Sequence, residues 1–276
     1  MKAGNNIYEQ VYNAQDDYGM MSRLATVICV LVQRGMLVAG FNVTKELLTI
    51  HYTGYNKNKP VWEINFFEHM FVQEPLLAAR DKVKGIFICS NKNLIIPDAL
   101  YDENEAKNWL KHIYYVEQKD VIESYSLEED KARYLQCMPM NITELVKINF
   151  RKAVTMPLAA YHFGNSTTRQ SLYLQCCITA EQVSATLHNY SQLLWHRVFD
   201  YTSAEDIAFE IRHLCMENNI SPSKISLRCN SISATEYGII NELSAYFPGL
   251  RAGNGRSING QWDGAVYLAQ QLVTCV

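Results

Sequence analysis

Between Arg23 and Asn91 the chain carries three apolar, β-rich runs, an amphipathic helical stretch and a short apolar run, and the same layout returns between Ser171 and Asn230. In the first copy, Leu24–Val32, Met36–Val43 and Glu46–Tyr55 are rich in Val, Ile, Leu, Thr and aromatic residues, and Gln33-Arg34-Gly35 and Thr44-Lys45 separate them. That pattern predicts a three-stranded meander. The second copy offers Leu172–Ile178, Gln182–Asn189 and Gln192–Tyr201. An offset of 146 carries Ala39 to Ala185, Leu47 to Leu193, Leu48 to Leu194 and Tyr55 to Tyr201 without a gap. Each meander leads into helical spacing: Trp62, Phe66, Phe67, Met70, Phe71 and Leu77, then Ile207, Ile211, Leu214 and Cys215. Ser203 and Asp206 mark a helix start. The strand expected at Gly85–Cys89 lacks polar alternation and reads as covered on both faces. The one at Lys224–Cys229 alternates, so one of its faces is expected to be wet.

A length of 276 residues suits two domains or one duplicated α/β unit. The 48% hydrophobic and 19% charged residues are those of an ordinary globular chain. A net charge of −3, with no Lys/Arg-rich terminal arm, argues against a nucleic-acid partner. Met1–Asn6 lacks the apolar core of a signal peptide, and Val27–Val32 is too short for a membrane span, so a cytoplasmic protein without membrane insertion is expected. The eight cysteines include no Cys-x-x-Cys and read as reduced, buried thiols; the sequons at Asn42, Asn141, Asn165 and Asn189 then carry no meaning.

Residues 1–22 are polar, with Tyr8, Tyr12 and Tyr18 at loose helical spacing, and read as an N-terminal arm over a surface groove or a partner-docking segment. Asp102–Tyr115 has helical spacing with acids in its first turn; Asp120–Asp130 reads as an acidic loop with one short strand, Lys131–Met138 as a strand and Asn141–Phe150 as a helix. Pro157 and Gly164–Thr168 mark a hinge, which places a boundary near Met156–Leu158 and two domains at 23–157 and 158–276. The second ends with a helix over Ser233–Phe247, a strand near Leu250–Ala252, a glycine-rich loop Gly253–Gly260 and a helix over Asp263–Leu272.

Two consecutive halves of this layout resemble the duplicated ribonuclease-H-like domains of the actin-like ATPases, which implies an α/β fold of two tandem βββαβαβα domains. The run Leu193-Leu194-Trp195 to Phe199-Asp200-Tyr201, followed by Ser203-Ala204-Glu205-Asp206, is similar to an uncharacterised bacterial family of degenerate members of that superfamily. The superfamily's ATP site uses a first-strand Asp and a glycine-containing hairpin turn in each half, whose backbone amides grip phosphate while the Asp orders magnesium. Here the first turn, Leu31-Val32-Gln33-Arg34-Gly35, keeps Gly35 but no carboxylate. The second, Ile178-Thr179-Ala180-Glu181, has no Gly and a late Glu. A glycine pair contacts adenosine in the superfamily; Cys229-Asn230-Ser231 stands there. These departures argue against ATP and magnesium as cofactors.

Gly253-Asn254-Gly255-Arg256 is the remaining glycine-rich candidate, either an anion loop charged by Arg256 or a plain connection. Seven histidines contain no His-x-x-x-His, and the one Glu-x-x-His, Glu210 to His213, reads as two polar neighbours on a helix. Cys176-Cys177 reads as core, since consecutive strand residues face opposite ways. Glu128-Glu129-Asp130 reads as a solvated loop, with acid/base work by carboxylates distant in sequence left open. Seventeen tyrosines suit interaction surfaces. The favoured expectation is a non-catalytic binding or scaffold protein with an unidentified protein partner, a homodimer being compatible. The alternative is a nucleotide-binding ATPase or small-molecule kinase with Arg34, Gly35, Glu181, Asn230, Gly253, Gly255 and Arg256 lining an interdomain cleft.

Overall fold

A computed structural model describes residues 7–14, 19–56, 58–163, 172–253 and 260–276. In chain order the first half contains β1 (Ile7–Asn13), α1 (Met20–Arg23), the meander β2 (Thr26–Val32), β3 (Gly35–Phe41) and β4 (Leu47–Tyr55), then α2 (Ile64–Gln73), α3 (Pro75–Ala78) and β5 (Val83–Ile88). An inserted unit follows, of β6 (Asn93–Pro97), α4 (Ala106–Lys111), β7 (Val121–Leu127) and β8 (Ala132–Met138), before α5 (Met140–Asn149), β9 (Val154–Pro157) and α6 (Ala160–Phe163) close the half. The second half runs β10 (Tyr173–Ile178), β11 (Gln182–Asn189), β12 (Gln192–Asp200), α7 (Ala204–Glu217), β13 (Ser226–Ser231), α8 (Tyr237–Leu243), β14 (Arg251–Ala252) and α9 (Asp263–Leu272).

The two large sheets share one strand order. The first is β1-β4-β3-β2-β5-β9 and the second β12-β11-β10-β13-β14, so removing β1 superimposes the topologies. In each, the meander is antiparallel and the two later strands run parallel to its first strand. Alternate residues of the first meander feed opposite layers. Val27, Cys29, Leu31 and Val38 pack with α2, α3 and α5, while Ile28, Val30, Leu37 and Ile50 pack with α9. Both faces are therefore dry, which is why the runs read as unbroken apolar sequence.

Helix ends follow local chemistry. Ser203 and Asp206 form a reciprocal capping box at α7. The helical stretch after β4 splits in two, because Pro75 cannot donate to the turn before it and the Glu74 side chain accepts from Leu76 N (3.1 Å) to start α3. The helix expected over Asp102–Tyr115 shrinks to α4: Asp102 Oδ1 takes the Asn104 amide at 2.9 Å, a local turn that competes with helix. Ser233 does the same to the start of α8 by accepting from Thr235 N at 3.2 Å.

Other expectations change more. The N-terminal segment is not helical at Tyr8 and Tyr12; Ile7–Asn13 pairs residue for residue with β4, whose edge otherwise leaves backbone groups unpaired. Gly54 lacks a Cβ where the Tyr8 ring sits. β6 goes unforeseen, and the acidic stretch after Asp120 is a full strand, so the insert is a three-stranded sheet, β6-β8-β7. The face of β13 expected to be wet is covered, with Arg228 lying over the Tyr173 and Tyr267 rings. His213 pairs with Glu217 at 3.3 Å and stacks on Phe209 rather than meeting Glu210.

Helix α9 joins the halves. It leaves the second sheet beside β13, and its Ala265, Leu268, Ala269 and Leu272 fill the inner face of the first sheet. Lys45, in the β3–β4 turn, donates to the carbonyls of Val273 and Val276 at 3.0 Å, which fastens the chain end to the first half.

Candidate functional site

The two hairpin turns singled out by sequence are built alike. In the first half the Tyr55 hydroxyl, at the end of β4, donates to Gln33 O at 2.7 Å, and Tyr55 N donates to Arg34 O at 3.0 Å. In the second half Tyr201, the residue 146 positions on, donates its hydroxyl to Thr179 O at 2.7 Å and its amide to Glu181 O at 3.1 Å. Both tyrosines are nearly buried, and burial raises both phenols, which keeps them protonated donors. Each pins the carbonyls of its turn with one ring, so the turn cannot flex independently of the third strand. The offset of 146 that carries Tyr55 to Tyr201 is the one trace of this shared role in the sequence.

The pinned turns meet. Arg34 Nε donates to Glu181 Oε2 at 2.7 Å, with the two side chains 15% and 20% exposed. A second guanidinium nitrogen donates to the Lys59 carbonyl, and the guanidinium lies 6.0 Å from the Tyr55 ring centre. An arginine fork held at a carboxylate, a carbonyl and a ring is fixed in direction.

The other sequence candidates sit elsewhere. Gly35 pairs with Val32 in the ladder, and a Cβ there would lie 2.8 Å from the Tyr52 hydroxyl, so this glycine makes room for a tyrosine. Asn230 is fully buried, donates to the Tyr161 hydroxyl at 3.3 Å, and has Gly253 against its Oδ1, 2.5 Å from where a Cβ would stand. Gly264 of α9 abuts Ser231 in the same close manner, 2.6 Å from its Oγ. Gly255 and Arg256 lie outside the described residues. Arg34 and Glu181 are thus brought together, and Asn230 and Gly253 form a separate contact beneath α9.

Three neighbours were not legible. Glu236 is 3% exposed, accepts from Ser233 Oγ at 2.6 Å, and burial raises its carboxyl above the usual range. Burial, and after it the Glu236 charge, raise the phenols of Tyr8, Tyr52 and Tyr201. Gln10 of β1 spans the halves by donating to Thr235 Oγ1 at 2.5 Å and accepting from Ala234 N at 3.2 Å. Asp130 Oδ1 accepts from Leu193 N at 2.9 Å, tying the insert to β12.

Between these ties runs a polar chain on the inner face of the second sheet. His162 Nδ1 lies 2.7 Å from Thr186 Oγ1, which lies 2.8 Å from His196 Nδ1. A hydroxyl has one proton, so one imidazole donates to it and the other accepts. Burial lowers His162 well below the usual histidine range and His196 to about 3, so both rings are neutral. Among the described residues no group of His, Cys, Asp and Glu has the makings of a metal site, and no helix is long and apolar enough to cross a membrane.

A family model described as "Protein of unknown function (DUF3822)" matches residues 34–250. No curated protein matches the chain. Among solved structures, a Bacteroides thetaiotaomicron protein with an actin-like ATPase fold and unknown function is similar at 14% identity and a TM-score of 0.75, covering 95% of this chain and 100% of that one. The PilM-PilN type IV pilus biogenesis complex is similar at 14% identity and a TM-score of 0.55, covering 91% of this chain and 98% of that one. At such identities these likenesses establish the fold, which is that of the actin-like ATPases.

Proposed function

The chain belongs to the DUF3822 family of proteins of unknown function, and from that premise we propose that it acts as a non-catalytic binding or scaffold protein built on an actin-like ATPase fold. The observation that carries this reading is the Arg34–Glu181 ion pair, which joins the two turns that grip phosphate in the superfamily. A polyphosphate between the turns needs backbone amides and a carboxylate free to order magnesium. Glu181 is spent on Arg34, and Gly35 is occupied by Tyr52. At the adenosine position, Asn230 and Ser231 are packed under Gly253 and Gly264, where the superfamily presents bare backbone. The residues present do not fit magnesium-ATP. Support for a protein partner is fold analogy: the similar PilM-PilN structure is a protein assembly.

Calorimetric titration of the purified chain with magnesium-ATP tests the reading. No heat at millimolar nucleotide is expected, for the wild type and for Gly35→Ala alike. Micromolar binding that Arg34→Ala abolishes would overturn it in favour of an unorthodox nucleotide site.

A further inference from the structure

At the end of the first sheet opposite the Arg34 turn, the chain enters the parallel strands β2, β5 and β9 side by side, with Val27 opposite Val83 and Gly85 opposite Val154. The segments that feed β5 and β9 are basic. Arg80, Lys82 and Lys84 lead into one, and Lys147, Arg151 and Lys152 lead from α5 into the other, with Asp81 as their sole acid. In a chain of net charge −3, this end is a positive pole. Acids bordering it are already held: Glu74 by His51 at 2.9 Å, Glu46 by Asn42 at 2.6 Å, and the Val276 chain end, beside Gly85, by Lys45 at 3.0 Å.

Two features set this end apart from an ordinary charged surface. A cation at the close of α5 would serve the helix dipole and nothing more. Ile148, however, lies between Lys147 and Arg151 in sequence and is 65% exposed, and Val154, which opens β9 two residues after Lys152, is 53% exposed. Aliphatic side chains thus stand in water within a cationic patch. The second feature is a bulge: Val27 pairs with Val83 and Ile28 with Gly85, which leaves Lys84 outside the ladder and exposed. An unbroken ladder would turn Lys84 to the face of Ile86, which is packed beneath α2 and α5. The bulge keeps this charge at the surface, where Lys84 Nζ donates to Asp81 O at 2.8 Å.

We propose that this end of the first half rests on a lipid surface carrying anionic headgroups, with the cations meeting the headgroups while Ile148 and Val154 reach the boundary between headgroups and acyl chains. The contact is peripheral, and no helix enters the bilayer. A nucleic acid would answer the charge through its phosphates but gives the two aliphatic side chains no apolar layer. The inference goes beyond the scaffold reading and does not depend on it.

The full chain is sedimented with sucrose-loaded vesicles of equimolar phosphatidylcholine and phosphatidylserine, and with vesicles of phosphatidylcholine alone. It should sediment with the anionic vesicles only, and added salt should release it. The double variant Arg151→Gln, Lys152→Gln should weaken the partition about thirtyfold. Ile148→Ser with Val154→Ser leaves the charge unchanged and should weaken it about tenfold. Both pairs are exposed, and urea midpoints close to that of the wild type keep folding out of the comparison. No sedimentation, equal sedimentation with neutral vesicles, or an unchanged partition for the Arg151→Gln, Lys152→Gln variant would overturn the proposal. Charge-dependent binding that the serine variant leaves unchanged, or that a random-sequence DNA duplex matches in affinity, would overturn it in favour of a plain polyanion site.

Discussion

The inner faces of the two large sheets have the same topology and differ in chemistry, apolar in the first and largely polar in the second, where only Cys177 and Val198 join the shared apolar cluster. In the first sheet, Ile28, Val30, Leu37, Ala39 and Ile50 present hydrocarbon to α9. In the second, Gln175, Ser184, Thr186, His188 and Asn230 stand on the inner face, all buried and all polar. Strand order and the outer apolar layer suffice to specify the architecture, since both halves keep them. The inner layer is free to diverge, and in the second half it has become a hydrogen-bonded surface against which α6 and the insert rest. Such a surface costs stability wherever a partner is missing, but it fixes how the halves sit.

Leu268→Ala probes the apolar face hardest. Leu268 is fully buried between the sheets, and its truncation should cost about 2–5 kcal/mol in urea unfolding. A loss below about 1 kcal/mol would mean that α9 is not the fastening it looks to be. On the polar face, Thr186→Val strips the partner from both His162 and His196 and should cost about 1–3 kcal/mol. An unchanged midpoint there would show that the hydroxyl holds neither ring.

Acid separates the faces next. His162, His188 and His196 all have folded values below the ordinary histidine range, chiefly from burial, so the unfolded chain binds more protons than the native one. Stability is therefore intact above about pH 6.5 and lost as pH falls below it, by up to about 1.4 kcal/mol per pH unit for each histidine. His196→Gln should remove one histidine's share of that slope. Glu236 works in the opposite sense: its folded value is raised by burial, so stability falls as pH rises from about 4.5 through that value, and Glu236→Gln should remove this fall. The smallest effect belongs to the clasp, where a double-mutant cycle on Arg34→Ala and Glu181→Ala should give a coupling of about 1 kcal/mol, as suits a partly exposed pair.

The duplicated meander, the α7 capping box and α9 were legible because periodicity and capping are local signals. β1 and β6 were not: a strand at a sheet edge is stabilised by the neighbour it pairs with, and β1 buries only Tyr12 fully. The clasp was half legible. Sequence put Arg34 and Glu181 on facing turns but gave no sign that they would meet each other rather than a ligand, because that depends on how α9 draws the halves together. Asp130 looked like a solvated acid for the same reason, its partner Leu193 N being supplied from the other half.

The central claim is that the space between the halves is closed without help from nucleotide, with Arg34 paired to Glu181 across it. Spin labels at Val43→Cys and Met216→Cys, both highly exposed and in different halves, report the inter-half distance directly in a chain carrying Cys275→Ser. A single narrow distance, unchanged by millimolar magnesium-ATP, is the expected result. Two distances in the wild type that magnesium-ATP collapses into one would contradict it.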